Sequence, residues 1–178
     1  MKILKTLLDA AFYLELPRFE DIRGSFTKIY AGSLFRNLGI ETQIREVYYS
    51  VSGRNVIRGM HFQAPPAQHG KLVSVSFGSV RDVILDLRKD GPHYGKTADI
   101  LLSAERPHAL YIPPGFAHGF LSLEDNTVMQ YLVSAEHSPE HDKGIRWDSV
   151  NVDWGVAEPV ISDRDRRLPP FHQFVSPF

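Results

Sequence analysis

The sequence predicts an all-β protein, a β-sandwich or barrel of short strands with a few short helices. Val73, Val75 and Phe77 alternate with serines, and alternation of apolar and polar residues is typical of a half-buried strand. Similar short segments recur along the chain, and 13 glycines and 12 prolines interrupt them at close intervals. Helical periodicity is scarce by comparison. Many short strands separated by Gly and Pro favour a sandwich or barrel.

Five segments are predicted as strands, namely residues 73–77, 80–87, 110–112, 120–123 and 127–133. Gly78-Ser79 supplies a turn between the first two, and residues 124–126 separate the last two, so we expect two hairpins. The best helix candidate spans residues 33–38, where Ser33 can cap the start and Gly39 can end the helix.

Length and composition fit one globular domain spanning residues 1–178, since a chain of this size buries roughly two thirds of the surface its unfolded form exposes. The net charge of −1 gives no reason to expect nucleic acid or an anionic membrane as a partner. The absence of cysteine excludes disulfides and thiolate chemistry. Asp9 interrupts the short apolar N-terminal stretch. We therefore expect no signal peptide, no bilayer span and a location in the cytosol.

Four segments concentrate charged, histidine and glycine residues that a packed sandwich does not require. They are residues 21–26, residues 58–63 with 69–73, residues 112–120, and residues 161–165. The last of them lies in a stretch rich in Pro, Asp and Arg, beginning at Pro159, which predicts an irregular tail over the body. Arg23, Arg58 and Lys71 lie beside glycines, which let backbone approach a ligand closely. Each cation taken singly is more typical of a solvated surface, but the set could bind a diphosphate.

Four further side chains could carry proton-transfer or metal chemistry. His61 and His118 can act as bases or ligands because neutral imidazole is available near pH 7, although a lone His among apolar neighbours more often has a packing role. Tyr131 alternates with apolar residues along a strand, so packing is its default role. Asp165, in the polar tail, is by default solvated or turn-forming.

The sequence argues against a metal site. Pro113-x-Gly115-x-x-His118 matches half of the second motif of the cupin superfamily. The first motif of metal-binding cupins requires His-x-His followed by Glu, whereas the corresponding stretch here is His61-Phe62-Gln63. A stable divalent site usually needs three protein ligands. We therefore expect no metal.

Together, these segments resemble the dTDP-4-dehydrorhamnose 3,5-epimerase family, a branch of the cupins, over nearly the whole chain. The blocks that carry the resemblance are residues 57–63, 70–73 and 112–120, with support from residues 86–89, 102–105 and 144–148. The resemblance implies a cupin-type jelly-roll β-sandwich. It also implies a cofactor-free, metal-free enzyme of deoxysugar and O-antigen biosynthesis that inverts C3, C5 or both of a nucleotide-diphosphate 4-keto-6-deoxyhexose. A further implication is a homodimer in which N-terminal strands, here residues 12–16, extend the partner's sheet.

The resemblance implies a role for each matching residue. His61 would remove a proton beside the C4 ketone, Asp165 would orient that imidazole, and Tyr131 would return a proton on the opposite face. Two groups are needed, because one base returning the proton from its own side would restore the starting centre. Lys71 would stabilise the enolate oxygen. The remaining substrate contacts would come from His118, Arg23, Arg58, Phe19, Phe26, Gln63 and Glu136.

The sequence departs from the family pattern in the expected nucleotide site. Lys28 stands where the family usually has an acid, Glu46-Val47-Tyr48 replaces a Gln-x-Asn pair, and Glu136 replaces the aromatic residue that stacks on thymine. Loss of a stacking platform costs about 1–3 kcal/mol. The nucleotide is therefore left open among dTDP, CDP and GDP.

Two other classes of function are left open by the residues. A non-catalytic nucleotide-sugar-binding cupin would keep Arg58 and the aromatic residues but would not need His61, Tyr131 and Asp165 together. A metal-dependent cupin oxygenase or isomerase would need the ligands that residues 61–63 lack.

Overall fold

A computed structural model describes residues 1–40 and 43–178, which form two facing β-sheets, one separate hairpin and a few short helices. The strands are β1 (Lys2–Leu7), β2 (Ala11–Glu15), β3 (Arg18–Asp21), β4 (Gly24–Thr27), β5 (Glu46–Ser52), β6 (Ile57–Gln63), β7 (Lys71–Phe77), β8 (Ser79–Asp86), β9 (Thr97–Ser103), β10 (His108–Ile112), β11 (Phe116–Ser122), β12 (Thr127–Val133) and β13 (Asp142–Gly144). The helices are α1 (Gly32–Asn37) and α2 (Asp163–Arg166), with 3₁₀ turns at Trp147–Ser149 and Phe171–Gln173. No helix in the described part of the chain is long and apolar enough to cross a membrane.

The two large sheets form a jelly-roll sandwich of the cupin type. One sheet has the strand order β1-β2-β10-β7-β12-β5, and the other has the order β13-β6-β11-β8-β9. Neighbouring strands in both sheets are antiparallel. The hairpin β3–β4 belongs to neither sheet. The predicted all-β class and sandwich architecture are confirmed.

Strand alternation divides the apolar residues into three layers. Val73 and Met129 of the six-stranded sheet meet Ile84 and Phe120 of the five-stranded sheet in the central layer. A second layer covers the outer face of the five-stranded sheet, where the C-terminal phenylalanines pack. A third lies on the outer face of the six-stranded sheet beneath α1. The tail predicted over the body is therefore part of the packing, and it contains α2 and a 3₁₀ turn.

The predicted strands are present, but both predicted hairpins are wrong. β7 and β8 follow one another closely yet lie in different sheets, and the same is true of β11 and β12. Gly78, at φ +74°, turns the chain where a Cβ would lie 2.5 Å from the hydroxyl oxygen of Thr127. Periodicity identifies a strand and its buried face, but it does not specify the neighbour in the sheet.

The predicted helix is α1, displaced by one residue. It starts after Ala31, and no side chain caps its N-terminus, so the capping role predicted for Ser33 is wrong. Gly39 follows the helix at φ +70°, a left-handed conformation that glycine adopts without a steric penalty. The expected end of the helix is thus confirmed.

Candidate active site

A cavity of about 360 Å³ opens between the sheets at the end where β7 begins and β12 ends. This volume lies within the usual range for small-molecule sites. Six of the residues predicted for the site line it, namely His61, Lys71, His118, Tyr131, Arg58 and Gln63. Asp165 reaches the cavity through its hydrogen bond to His61. The jelly roll therefore brings together residues that are distant in sequence.

His61 and Asp165 form a hydrogen-bonded pair on the five-stranded side of the cavity. His61 Nε2 lies 2.7 Å from Asp165 Oδ1, and the Gly59 N–H donates to Asp165 Oδ2 at 3.1 Å. The Ser162 hydroxyl accepts a hydrogen bond from the Asp165 N–H at the start of α2, which fixes the carboxylate under β6.

The charge state of Asp165 decides which imidazole nitrogen can act as a base. Burial raises the pKa of Asp165, but the hydrogen bond and charge of His61 and the Gly59 N–H together lower it below its usual value. An ionised carboxylate can only accept, so Nε2 of His61 carries the hydrogen and Nδ1 is left to take a proton. The side chain of His61 is 27% exposed and lines the cavity.

Lys71 crosses the cavity from the six-stranded sheet. Its Nζ donates to the backbone oxygen of His61 at 3.2 Å, and only 9% of the residue is exposed. Burial lowers the pKa of Lys71 to about 8, although the negative charges of Asp142 and Asp82 oppose the shift. An ammonium so weakly solvated interacts strongly with any negative charge that develops beside it.

Tyr131 faces His61 from the opposite sheet. It lies on β12, whereas His61 and His118 lie directly opposite each other on β6 and β11 of the other sheet. Burial raises the pKa of Tyr131, so its hydroxyl stays protonated and can serve as an acid. A ligand in the cavity is thus accessible to a base from one side and to an acid from the other.

His118 forms a second imidazole–carboxylate pair in the wall of the cavity. Its Nε2 lies 2.9 Å from Asp82 Oδ2, and both side chains are buried. Its ring contacts the Tyr131 ring edge-on, with 6.2 Å between centroids. This pair holds the position of His118 and supports one side of Tyr131.

Gln63 and Glu136 shape the rim through hydrogen bonds. The Gln63 amide nitrogen donates to the backbone oxygens of Ala67 and Glu136 at 2.8 and 3.2 Å, and its oxygen accepts from the Ser138 N–H at 2.6 Å. The side chain of Glu136 is exposed and is not part of the cavity lining. Arg58 donates to the Ser52 hydroxyl at 3.0 Å and retains an exposed guanidinium.

Three predicted substrate contacts lie away from the cavity. Phe19, Arg23 and Phe26 belong to the β3–β4 hairpin, and none of the described residues that line the cavity comes from it. Phe19 and Phe26 are 62% and 60% exposed, and Arg23 pairs with Asp21 of the same hairpin at 2.5 Å. The base of the hairpin packs near Ser74, whose side chain points away from the central layer.

Sequence reasoning placed Tyr48 in the expected nucleotide site but did not predict its contact with Tyr131, and it missed Asp142 and Arg164 at the rim. The rings of Tyr48 and Tyr131 are stacked, with centroids 4.8 Å apart. Asp142 receives hydrogen-bonded contacts from Arg164 at 2.8 Å and from His137 at 3.2 Å. The alternation along β5 could have placed Tyr48 on the inner face, but nothing in the sequence indicates that β5 pairs with β12.

No three His, Asp or Glu side chains among residues 1–40 and 43–178 are grouped in a way that could hold a metal ion. The expectation of metal-free chemistry stays a prediction.

Comparison with known proteins identifies the family. The model described as dTDP-4-dehydrorhamnose 3,5-epimerase matches residues 5–173. An enzyme of that name from Methanothermobacter thermautotrophicus is 38% identical over 97% of this chain and 95% of its own length. A solved dTDP-4-dehydrorhamnose 3,5-epimerase from Bacillus anthracis, with TDP and PPi bound, is 38% identical, with a TM-score of 0.93 over 96% of this chain and 99% of that one.

A second solved structure extends the likeness to a sugar complex. The dTDP-6-deoxy-D-glucose-3,5-epimerase of Legionella pneumophila, in complex with dTDP-4-keto-L-rhamnose, is 30% identical. Its TM-score is 0.93 over 98% of this chain and 94% of that chain. These likenesses span nearly the whole length of each protein. The chain therefore belongs to the dTDP-4-dehydrorhamnose 3,5-epimerase family.

Proposed function

We propose that the cavity is the active site of this nucleotide-sugar epimerase, where His61 and Tyr131 invert carbon centres beside the C4 ketone of a 4-keto-6-deoxyhexose. The observation that carries the proposal is the position of the two groups on facing sheets, with the cavity between them. Inversion requires a proton to leave one face of the carbon and another to arrive on the opposite face. The arrangement supplies a group for each step.

Proton removal is assigned to His61. Its Nδ1 takes the proton from the carbon next to the ketone, and the electron pair of the C–H bond moves to give an enolate. Asp165 then stabilises the imidazolium through the 2.7 Å contact, as a buried Asp serves the His of a hydrolase triad. The Lys71 ammonium stabilises the enolate oxygen, which general acid–base catalysis alone would leave uncompensated.

Proton return is assigned to Tyr131. Its hydroxyl gives a proton to the other face of the carbon, and the C4 ketone forms again. The phenolate regains a proton from solvent, and His61 releases one to solvent, so the cycle is balanced. Burial raises the pKa of Tyr131, which keeps the phenol protonated before the transfer and favours rapid recovery of the proton by the phenolate afterwards.

One experiment identifies the nucleotide of the substrate and the carbon that is inverted. The relatives in complex with TDP or dTDP-4-keto-L-rhamnose support a nucleotide-sugar substrate. The protein is incubated in D₂O with dTDP-, CDP- and GDP-linked 4-keto-6-deoxyhexoses, and C3 and C5 are followed by proton NMR. Exchange and inversion at both carbons identify a 3,5-epimerase, whereas exchange at C3 alone identifies a 3-epimerase. No exchange with any of the three sugars would refute the proposal in favour of a sugar-binding protein.

We further propose that the protein is a homodimer in which each β3–β4 hairpin completes the cavity of the partner. Phe19 and Phe26 expose most of their rings, and Ile22 at the tip is fully exposed, which is costly for apolar groups unless another surface covers them. The six-stranded sheet separates the hairpin from the cavity of its own subunit. A second copy can receive the hairpin, and Arg23 would then meet the substrate diphosphate. Residues 12–16, which were expected to extend the partner's sheet, overlap β2, and β2 already pairs with β1 on one side and β10 on the other. In the proposed dimer the edge strand β1 would take that role.

Mixing two inactive variants tests this arrangement. Arg23→Ala and His61→Ala chains, unfolded and refolded together, are expected to regain activity because one pocket of each mixed dimer has an intact hairpin and an intact His61. Random assortment in a C₂ dimer leaves roughly a quarter of all pockets intact. Activity is measured by deuterium exchange, and light scattering gives the mass of the assembly. A monomer, or a mixture without regained activity, would contradict the shared site.

The single domain spanning residues 1–178 and the cytosolic location stay predictions.

A further inference from the structure

Tyr131 is held between two rings. Tyr48 lies directly opposite it in the β5–β12 pairing, and both side chains point into the cavity. The Tyr48 and Tyr131 rings are nearly parallel, at 16°, with centroids 4.8 Å apart. On its other side, Tyr131 meets the edge of the His118 ring. A phenol in contact with rings on two sides has little freedom to change its orientation.

The two tyrosines differ in their access to water. Tyr48 lies on edge strand β5 and is 41% exposed, whereas Tyr131 is 8% exposed. Tyr48 therefore occupies the solvent side of the pair and covers the flat face of Tyr131. β5 is the last strand of the sheet, and no strand lies beyond it in the described chain, so Tyr48 is the outermost ring of the stack.

We propose that Tyr48 is a positioning residue that orients the Tyr131 hydroxyl and thereby decides how much of the enolate is inverted. The inference rests on the proposed function. The enolate is a common intermediate that can be protonated in two ways. If His61 returns a proton, the starting centre forms again; if Tyr131 delivers a proton, the centre is inverted. Tyr48 affects only protonation by Tyr131, since it contacts Tyr131 and belongs to the sheet opposite His61.

In D₂O the products of the two protonation reactions can be measured separately. The imidazolium exchanges its proton with solvent, so return from His61 gives deuterated sugar of unchanged configuration. Transfer from the exchanged phenol gives deuterated sugar of inverted configuration. The ratio of deuterated starting epimer to inverted product at early times therefore measures the competition. A general loss of folded protein lowers the amounts of both deuterated sugars and leaves their ratio unchanged.

Tyr48→Ala is expected to raise this ratio by roughly fivefold, the size of effect that one aromatic stack can exert on a competing step. Tyr48→Phe keeps the stacked ring and is expected to give the wild-type ratio. Tyr48→Leu keeps most of the volume without the flat face and is expected to behave like Tyr48→Ala. Tyr49→Ala is the matched control, because Tyr49 is the next residue on β5 and is 69% exposed on the opposite face.

Two results would overturn the inference. The first is a wild-type ratio in both Tyr48→Ala and Tyr48→Leu, and the second is an equal rise in Tyr49→Ala. Tyr131→Phe provides the limit, since it should exchange without inverting. Failure of the proposed function is distinguishable from both, because the wild-type protein would then exchange no deuterium with any sugar.

Discussion

His61→Ala is expected to lower deuterium exchange at the substrate carbon by about 10³-fold, within the range that general acid–base groups contribute. Proton removal is assigned to Nδ1 of His61, and the Asp165 carboxylate cannot replace it, because that carboxylate is buried behind the ring. Exchange precedes inversion, so both are lost together. Initial rates from proton NMR in D₂O provide the measurement.

The Asp165→Asn variant tests the contribution of the carboxylate separately from that of the His61 imidazole. An amide has nearly the shape of the carboxylate but cannot stabilise an imidazolium by charge, so exchange is expected to fall while substrate affinity is retained. His172→Ala, at an exposed position in the C-terminal 3₁₀ turn, should have no effect. Undiminished exchange in His61→Ala would assign the base to another residue, and His118 would be the first to test.

Lys71→Met is expected to lower kcat by about 10²–10³-fold, as loss of one group that stabilises an oxyanion does in other enzymes. The enolate oxygen would then form in a cavity without its neutralising charge. The pH dependence carries more information than the rate alone. Burial lowers the pKa of Lys71 to about 8, so kcat/KM of the wild-type protein is expected to fall as the pH rises through about 8 and the ammonium loses its proton.

The matched variant is Lys71→Arg, which keeps its charge at that pH because guanidinium has a pKa above 12. It should retain part of the activity and lose the alkaline decline. Lys89→Met, at an exposed position, should keep both the rate and its pH profile. An alkaline decline that persists unchanged in Lys71→Arg would assign the titration to another group and remove the role given to the Lys71 ammonium.

Strands and the pocket residues were largely predictable from the sequence, because each depends on local pattern or on specific motifs. The alternation at residues 73–77 marks β7 regardless of its neighbours. The pairing of strands was not predictable in this way, since β7 and β8 are joined by a tight turn yet lie in different sheets. Pairing depends on how the whole chain packs, and a local turn motif does not carry that information.

The contacts of individual site residues also could not be predicted from the sequence. Gln63 was predicted to contact substrate, but its amide is occupied by backbone groups of the rim. The stack of Tyr48 on Tyr131 depends on the β5–β12 register. Phe19 and Arg23 lie on the β3–β4 hairpin, and nothing in the sequence shows that this hairpin lies away from the cavity.

The separation between His61 and Tyr131, the proposed base and acid, is set by the thickness of the sandwich, because the two residues are attached to different sheets. Face-to-face sheets pack about 10 Å apart, and side chains such as Ile84 and Val73 keep that distance in the central layer. These apolar residues do not line the cavity, but they set the spacing between the two proposed catalytic groups. A larger or smaller side chain in this layer would move Tyr131 relative to His61, so under the proposed mechanism a substitution in the core is expected to alter which carbon is inverted.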